Sequence, residues 1–204
     1  MKIPLLYQRT EYDCGPTSLL NAISYLFPRE DIPPEVLRFV MMYTLDCYDA
    51  VGEPCKSGTS RMAMLFLSNW LSQYAEAKKL PLRCEYLRGE EVEVTPHARI
   101  TAALQQGGAA VLRLYLENEH YVTLTGSDSG GVAVFDPYFD CTTKETPLLQ
   151  LRENPMKANR WVAWEQFERP GEPYYLGTEE EREAVLLFNQ ETRRTEEKTI
   201  EYFL

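Results

Sequence analysis

QRTEYDCGPTSLLN, residues Gln8 to Asn21, decides how the rest of the chain is read. It sets a lone cysteine, Cys14, immediately ahead of a helix start. Gly15 and Pro16 follow, and proline is tolerated in a first helical turn because the N–H it lacks would be unpaired there anyway. Leu19, Leu20, Ala22, Ile23 and Leu26 then form an apolar stripe at helical spacing, which predicts a helix ending near Phe27–Pro28. A cysteine at a helix N-terminus meets the positive end of the macrodipole and several unpaired N–H groups. Both favour the thiolate, the nucleophilic form. The same position equally suits a small buried cysteine, and the local sequence does not choose between the two.

A catalytic cysteine needs a base, a group that orients the base, and donors for an oxyanion. The chain has only two histidines. His120 stands in NEHYVTLTG at the head of an alternating apolar run, and Asp136 stands in VAVFDPYFD at the end of the next one. The order Cys, His, Asp puts the partners far apart in sequence and on neighbouring strands, as a fold-assembled site requires. Gln8, six residues before Cys14, carries a side-chain amide that could serve the oxyanion. Taken singly, His120 also reads as a core histidine at a strand start and Asp136 as an Asp-Pro turn former. His97, after Pro96, reads as a surface or helix-cap histidine.

The bulk of the chain sets wider limits. Its 204 residues suit one domain with a sizeable core, and 44% hydrophobic and 12% aromatic residues are ordinary for a globular protein. A net charge of −10 argues against nucleic acid or an anionic membrane as partner. No stretch is long and apolar enough to span a bilayer, and MKIPLLYQRTEYD lacks the h-region and cleavage site of a signal peptide. Five cysteines (14, 47, 55, 84, 141) make an odd set with no compact framework, which predicts reduced thiols and a cytoplasmic setting. Cys47 and Cys55 could pair, but their spacing fits no strong metal template and no histidine lies near, so no metal or other cofactor is expected. The sequence leaves the oligomeric state open.

In chain order, residues 1–7 read as an extended lead-in. Pro33 and Pro34 open a second helix over Glu35 to about Leu45, with Val36, Leu37, Phe39, Val40 and Tyr43 as its apolar set. Residues 46–57 read as a loop, and Gly58-Thr59-Ser60 caps a long helix to about Lys79 with Met62, Leu65, Phe66, Trp70 and Tyr74 inward. From Leu82 the period changes to two. Strands are predicted at Arg83–Leu87, Ala109–Leu116, His120–Gly126, Val132–Phe135 and Arg160–Trp164, with a short helix at Ile100–Gln106. SDSGG at 127–131 is a hairpin turn, and 137–159 reads as a loop with one short helical turn. After Pro170 the signal weakens; Ala184–Phe188 leans to strand with Thr199–Phe203 as its partner, and 191–198 reads as a solvated loop.

Gln8, the DCGPTSLLN segment with Cys14, the HYVTLTG segment with His120 and FDPY with Asp136 together resemble the bacteriocin-processing cysteine peptidases, family thirty-nine of the papain-like superfamily. The similarity spans roughly residues 5–168 and takes in the GTS-capped helix and ALQQGGAAVLRL before His120. It implies an α+β, papain-like fold, with the nucleophile on a central helix packed against an antiparallel sheet. It implies a peptidase domain over residues 1–170; the chain departs from the family's best-known members in a C-terminal extension over 171–204, expected to pack on the same domain. By this resemblance Cys14 is the nucleophile, His120 the general base and acid, Asp136 the orienting group and Gln8 the oxyanion residue. The expected activity is a cysteine peptidase acting on a peptide or protein through a Cys14 thioester. Two alternatives stay open from sequence: a catalytically silent peptide-binding relative, and an acyl transferase that uses the same acyl-enzyme.

Overall fold

Period-two apolar runs from Leu82 onward assemble into one sheet. The computed structural model describes residues 1–140 and 142–191. Its strands are β1 (Leu82–Arg88), β2 (Ala109–Tyr115), β3 (Glu119–Ser127), β4 (Gly131–Phe135), β5 (Leu149–Asn154), β6 (Ala158–Ala163) and β7 (Glu183–Asn189). The spatial order is β1-β7-β2-β3-β4-β6-β5, and all neighbours pair antiparallel. Helices α1 (Cys14–Leu26), α2 (Pro34–Tyr43), α3 (Arg61–Lys78) and α4 (Arg99–Gln105) complete an α+β fold. Among the described residues, no helix is long and apolar enough to cross a membrane.

The sheet separates two cores. Ala109, Val111, Tyr121, Val185 and Leu187 join α1, α2 and α3 in one, and the alternate residues Ala110, Leu112, Val122, Leu124 and Leu186 join α4 in the other. Helices on both faces explain why β2 reads as an almost unbroken apolar run instead of a polar-apolar alternation. Each fully buried aliphatic side chain contributes roughly 1.5–3 kcal/mol relative to exposure, so these central strands form the rigid support on which α1 lies.

Polar side chains then fix where on the sheet α1 sits. Ser18 Oγ donates to the Tyr121 carbonyl at 2.9 Å, and Thr123 Oγ1 donates to the Ser18 carbonyl at 2.9 Å. One end further on, Tyr25 OH donates to the Thr125 carbonyl at 2.8 Å. The helix therefore runs alongside β3 in the same direction. Cys14, one turn before Ser18, arrives at the beginning of β3, where His120 is.

The loop between α2 and α3 closes over that helix start. Asp46 accepts from the Ser60 N–H at 2.9 Å, and Ser60 Oγ in turn accepts from Ala63 N–H at 3.1 Å, the N-cap read from the GTS sequence. This brings Thr59 against Gly15 so closely that a Cβ at residue 15 would lie 2.3 Å from Thr59 Oγ1 and 2.7 Å from its Cβ. Gly15→Ala is thus expected to destabilise the fold by about 1–3 kcal/mol through overpacking, outweighing the gain of roughly 1 kcal/mol that alanine normally brings to a helix. Urea denaturation checks this: an unchanged or higher midpoint would mean that the Thr59 loop yields without cost.

Three expectations change, and a fourth falls partly outside the described residues. The long helix α3 turns Ala63, Met64, Leu67, Ser68, Leu71 and Ala75 to the sheet, while Met62 and Phe66 are 70% and 46% exposed. Small residues face the sheet because the helix approaches it closely enough for Ser72 Oγ to bond both the Cys84 N–H and its carbonyl. Likewise α2 buries only Val36 and Val40. Part of the predicted loop 137–159 is the edge strand β5. Finally, β7 is the predicted strand near Ala184, but its described partners are β1 and β2; the proposed partner Thr199–Phe203 lies outside the described residues.

Candidate active site

The β3–β4 hairpin puts His120, at the start of one strand, beside Asp136, just past the end of the other. The His120 ring donates through Nε2 to Asp136 Oδ1 at 2.8 Å, and both side chains are buried, with 7% and 2% exposure. With Nε2 turned to Asp136, Nδ1 is the ring nitrogen left for Cys14, which lies near enough to help raise the imidazole pKa. Cys14 is itself buried. The three residues predicted from the sequence thus meet in one place, in the order sulfur, imidazole, carboxylate.

Electrostatics keep the His120–Asp136 pair charged. Burial by itself opposes an imidazolium, but the Asp136 charge and hydrogen bond, joined by those of Cys14, lift the His120 pKa to about 10. Burial likewise opposes an ionised Asp136, yet His120, the Tyr174 hydroxyl and the Tyr138 N–H hold its carboxyl below the ordinary range. The linkage sign follows. A histidine whose pKa rises on folding adds stability that is complete below its unfolded value of roughly 6.5 and fades as pH climbs through about 10.

Asp136 is held on every side. Tyr138 N–H donates to Oδ1 at 2.9 Å, and Tyr174 OH donates to Oδ2 at 2.7 Å. Its backbone N–H donates to Asn159 Oδ1 at 2.8 Å, and Asn159 Nδ2 donates back to its carbonyl at 2.7 Å. None of Tyr138, Asn159 or Tyr174 was singled out from the sequence. Tyr138 was readable as part of the FDPY turn; Asn159 and Tyr174 come from distant loops with no motif to mark them.

Gln8 reaches the site through its backbone. Its N–H donates to the Pro137 carbonyl at 2.8 Å, and the adjoining Tyr7 ring packs 5.3 Å from that of Phe135. Its side-chain Nε2 donates to the Thr10 carbonyl at 2.7 Å, while Oε1 is buried with no hydrogen-bond partner among the described residues. The turn between Gln8 and Cys14 is gathered by Asp13, whose carboxylate accepts from Arg9 N–H at 3.1 Å and Thr10 N–H at 2.7 Å. Asp13 therefore shapes the approach to the helix instead of capping it. His97 is exposed just before α4, away from this group. Among the described residues, no cluster of three or more histidine, cysteine or acidic side chains could hold a metal ion.

The peptidase C39-like family model matches residues 1–170. The chain belongs to this family. Among solved structures, this C39-like chain is similar to the following two. One is the peptidase domain of Streptococcus ComA, a bi-functional ABC transporter involved in a quorum-sensing pathway; it is 17% identical, covers 90% of this chain and 96% of that one, and has a TM-score of 0.46. Another is the Streptococcus mutans ComA peptidase domain, 15% identical, covering 91% and 99%, with a TM-score of 0.42. No curated protein sequence matches the chain. Tyr174, which bonds Asp136, lies just beyond the part matched by the C39-like model.

Proposed function

We propose that this chain is a cysteine peptidase that cleaves a peptide or protein substrate through a Cys14 thioester acyl-enzyme. The observation that carries the reading is the buried His120–Asp136 pair, with Cys14 near enough to act on the imidazole. His120 takes the thiol proton and stays as an imidazolium beside the thiolate. The thiolate attacks the scissile carbonyl carbon, and the developing oxyanion is received by the Cys14 backbone N–H and the Gln8 amide. A donor of this kind is worth roughly 3–4 kcal/mol in the transition state. His120 then protonates the leaving amine, the C–N bond breaks, and the acyl group remains on sulfur. Water, deprotonated by His120, releases it. Asp136 fixes the ring orientation and tautomer throughout. Every step uses groups of this chain and water, so the reading calls for no cofactor. The cytoplasm suits it, since that compartment keeps thiols reduced.

Selective alkylation tests the reading. At about pH 6, iodoacetamide is expected to modify Cys14 well ahead of the other four cysteines, because in this reading it alone has an imidazole beside it to take its proton. Burial pushes the Cys84 thiol up to about 12, and burial together with Asp46 raises that of Cys47. Cys55 is exposed and controls for access alone. Peptide mapping after brief labelling gives the answer; uniform modification, or a silent Cys14 in the folded protein, would sink the proposal.

A further inference from the structure

We infer that Tyr174 is a positioning residue of this site, acting through Asp136, so that the segment beyond the family-matched region completes the catalytic machinery. The inference rests on the peptidase reading above. Asp136 Oδ1 is taken by His120 and the Tyr138 N–H, and the partner of Oδ2 among the described residues is Tyr174 OH, at 2.7 Å. Removing that hydroxyl leaves a buried carboxylate oxygen without its donor, and a carboxylate so deprived becomes easier to protonate.

The backbone is committed to this contact. Tyr174 sits at φ +70°, in the left-handed region that a bulky residue enters only when its surroundings force it. It is 2% exposed. Its N–H donates to the Tyr115 carbonyl at 2.7 Å, and the Tyr115 N–H donates to the Tyr175 carbonyl at 2.8 Å. Gln166 Nε2 holds the Pro173 carbonyl at 2.7 Å, and the Leu176 N–H reaches the Phe167 carbonyl at 3.0 Å. Tyr115 ends β2, one residue past Leu114, the register partner of His120. The segment is therefore stitched to the strand end beside the imidazole.

A buried cation stands behind the phenol. Arg160, on β6, is 7% exposed, donates from Nη1 to the Asn159 carbonyl at 3.0 Å, and its charge acts on the Tyr174 phenol. Hydrogen bonds then converge on Asp136 from His120 at Oδ1 and from Tyr174 at Oδ2. Networks of this kind strengthen each member through mutual polarisation. Burial foremost, then the Asp136 charge, raises the Tyr174 pKa far above its ordinary value, so the phenol stays a proton donor across the working range.

The test is the pH dependence of Cys14 alkylation by iodoacetamide, read by peptide mapping on the full chain, with thermal melts as a check on folding. Tyr174→Phe keeps the ring and removes only the hydroxyl. Asp136 then protonates at higher pH, and the acid limb of the alkylation profile is expected to move up by about one unit. Below the limb the rate falls roughly tenfold, and on the plateau above it the rate is unchanged. A fluorinated tyrosine at position 174 retains the ring and donates more strongly, so it is expected to move the limb down. Opposite shifts cannot come from mere loosening of the fold. Leu176→Ala, a core change in the same segment, is expected to lower the melting temperature without moving the limb. If wild-type Cys14 is alkylated selectively but both Tyr174 variants keep the wild-type limb, the inference fails while the peptidase reading stands. If wild-type Cys14 shows no selectivity, the peptidase reading itself fails.

Discussion

His120→Ala is expected to reduce peptide cleavage by a factor of roughly 10⁴ or more, to the level of Cys14→Ala. The size follows from the ring's double duty. In the proposed mechanism it takes the Cys14 proton and later protonates the leaving amine, with Asp136 holding the ring at Nε2. Asp136→Asn removes the charge that orients the ring but leaves the ring itself, so it should cost roughly tenfold to a hundredfold less than losing His120. The measurement is turnover of a fluorogenic peptide that the wild-type protein cleaves, with circular dichroism to show that each variant is folded. Full activity in His120→Ala would end the model. His97 offers no rescue, because it is exposed ahead of α4, which packs on the sheet face opposite α1.

The meeting of these residues was legible because each link is local or paired. Pro16 and the Leu19–Leu26 stripe predict α1. The SDSGG turn makes β3 and β4 antiparallel neighbours, so the start of one and the end of the other must come together. What the sequence hid depends on long-range packing. The α3 helix carries apolar residues on two sides, one against the sheet and one against α2, where Phe39 packs 4.5 Å from Trp70 and Tyr43 lies 5.1 Å from Phe66. Periodicity shows both stripes but does not rank them, and the larger side chains were the wrong guide. Strand β5 was missed because it is an edge strand with one fully buried residue, Leu149, and so has little apolar alternation. Strand β7 was recognised as a strand, but its insertion between β1 and β2 joins segments about a hundred residues apart, and no local pattern encodes that order. Tyr174 was hidden for the same reason: its meaning lies in a contact with Asp136, 38 positions away.

Gln8→Ala is expected to lower kcat by roughly a hundredfold or more while leaving KM nearly unchanged. The backbone contact with Pro137 sets residue 8 next to the turn that carries Asp136, and the Asp13 carboxylate folds the intervening residues so that the chain returns to the α1 N-terminus. An amide nitrogen has two hydrogens. One is engaged by the Thr10 carbonyl at 2.7 Å, which fixes the plane of the group, and in the proposed mechanism the second is the donor to the oxyanion. Such a donor meets the tetrahedral intermediate far more strongly than the substrate carbonyl, so its loss appears in kcat and not in KM. Alkylation of Cys14 by iodoacetamide passes through no oxyanion and should proceed at the wild-type rate in Gln8→Ala, which separates this role from damage to the Cys14–His120 pair. Gln8→Glu should be at least as harmful as Gln8→Ala, since a carboxylate repels the developing charge. Steady-state kinetics of the two variants, run beside the alkylation assay, decide the matter: a normal kcat in Gln8→Ala would assign the second oxyanion donor to another group and reduce Gln8 to a residue of the connecting turn.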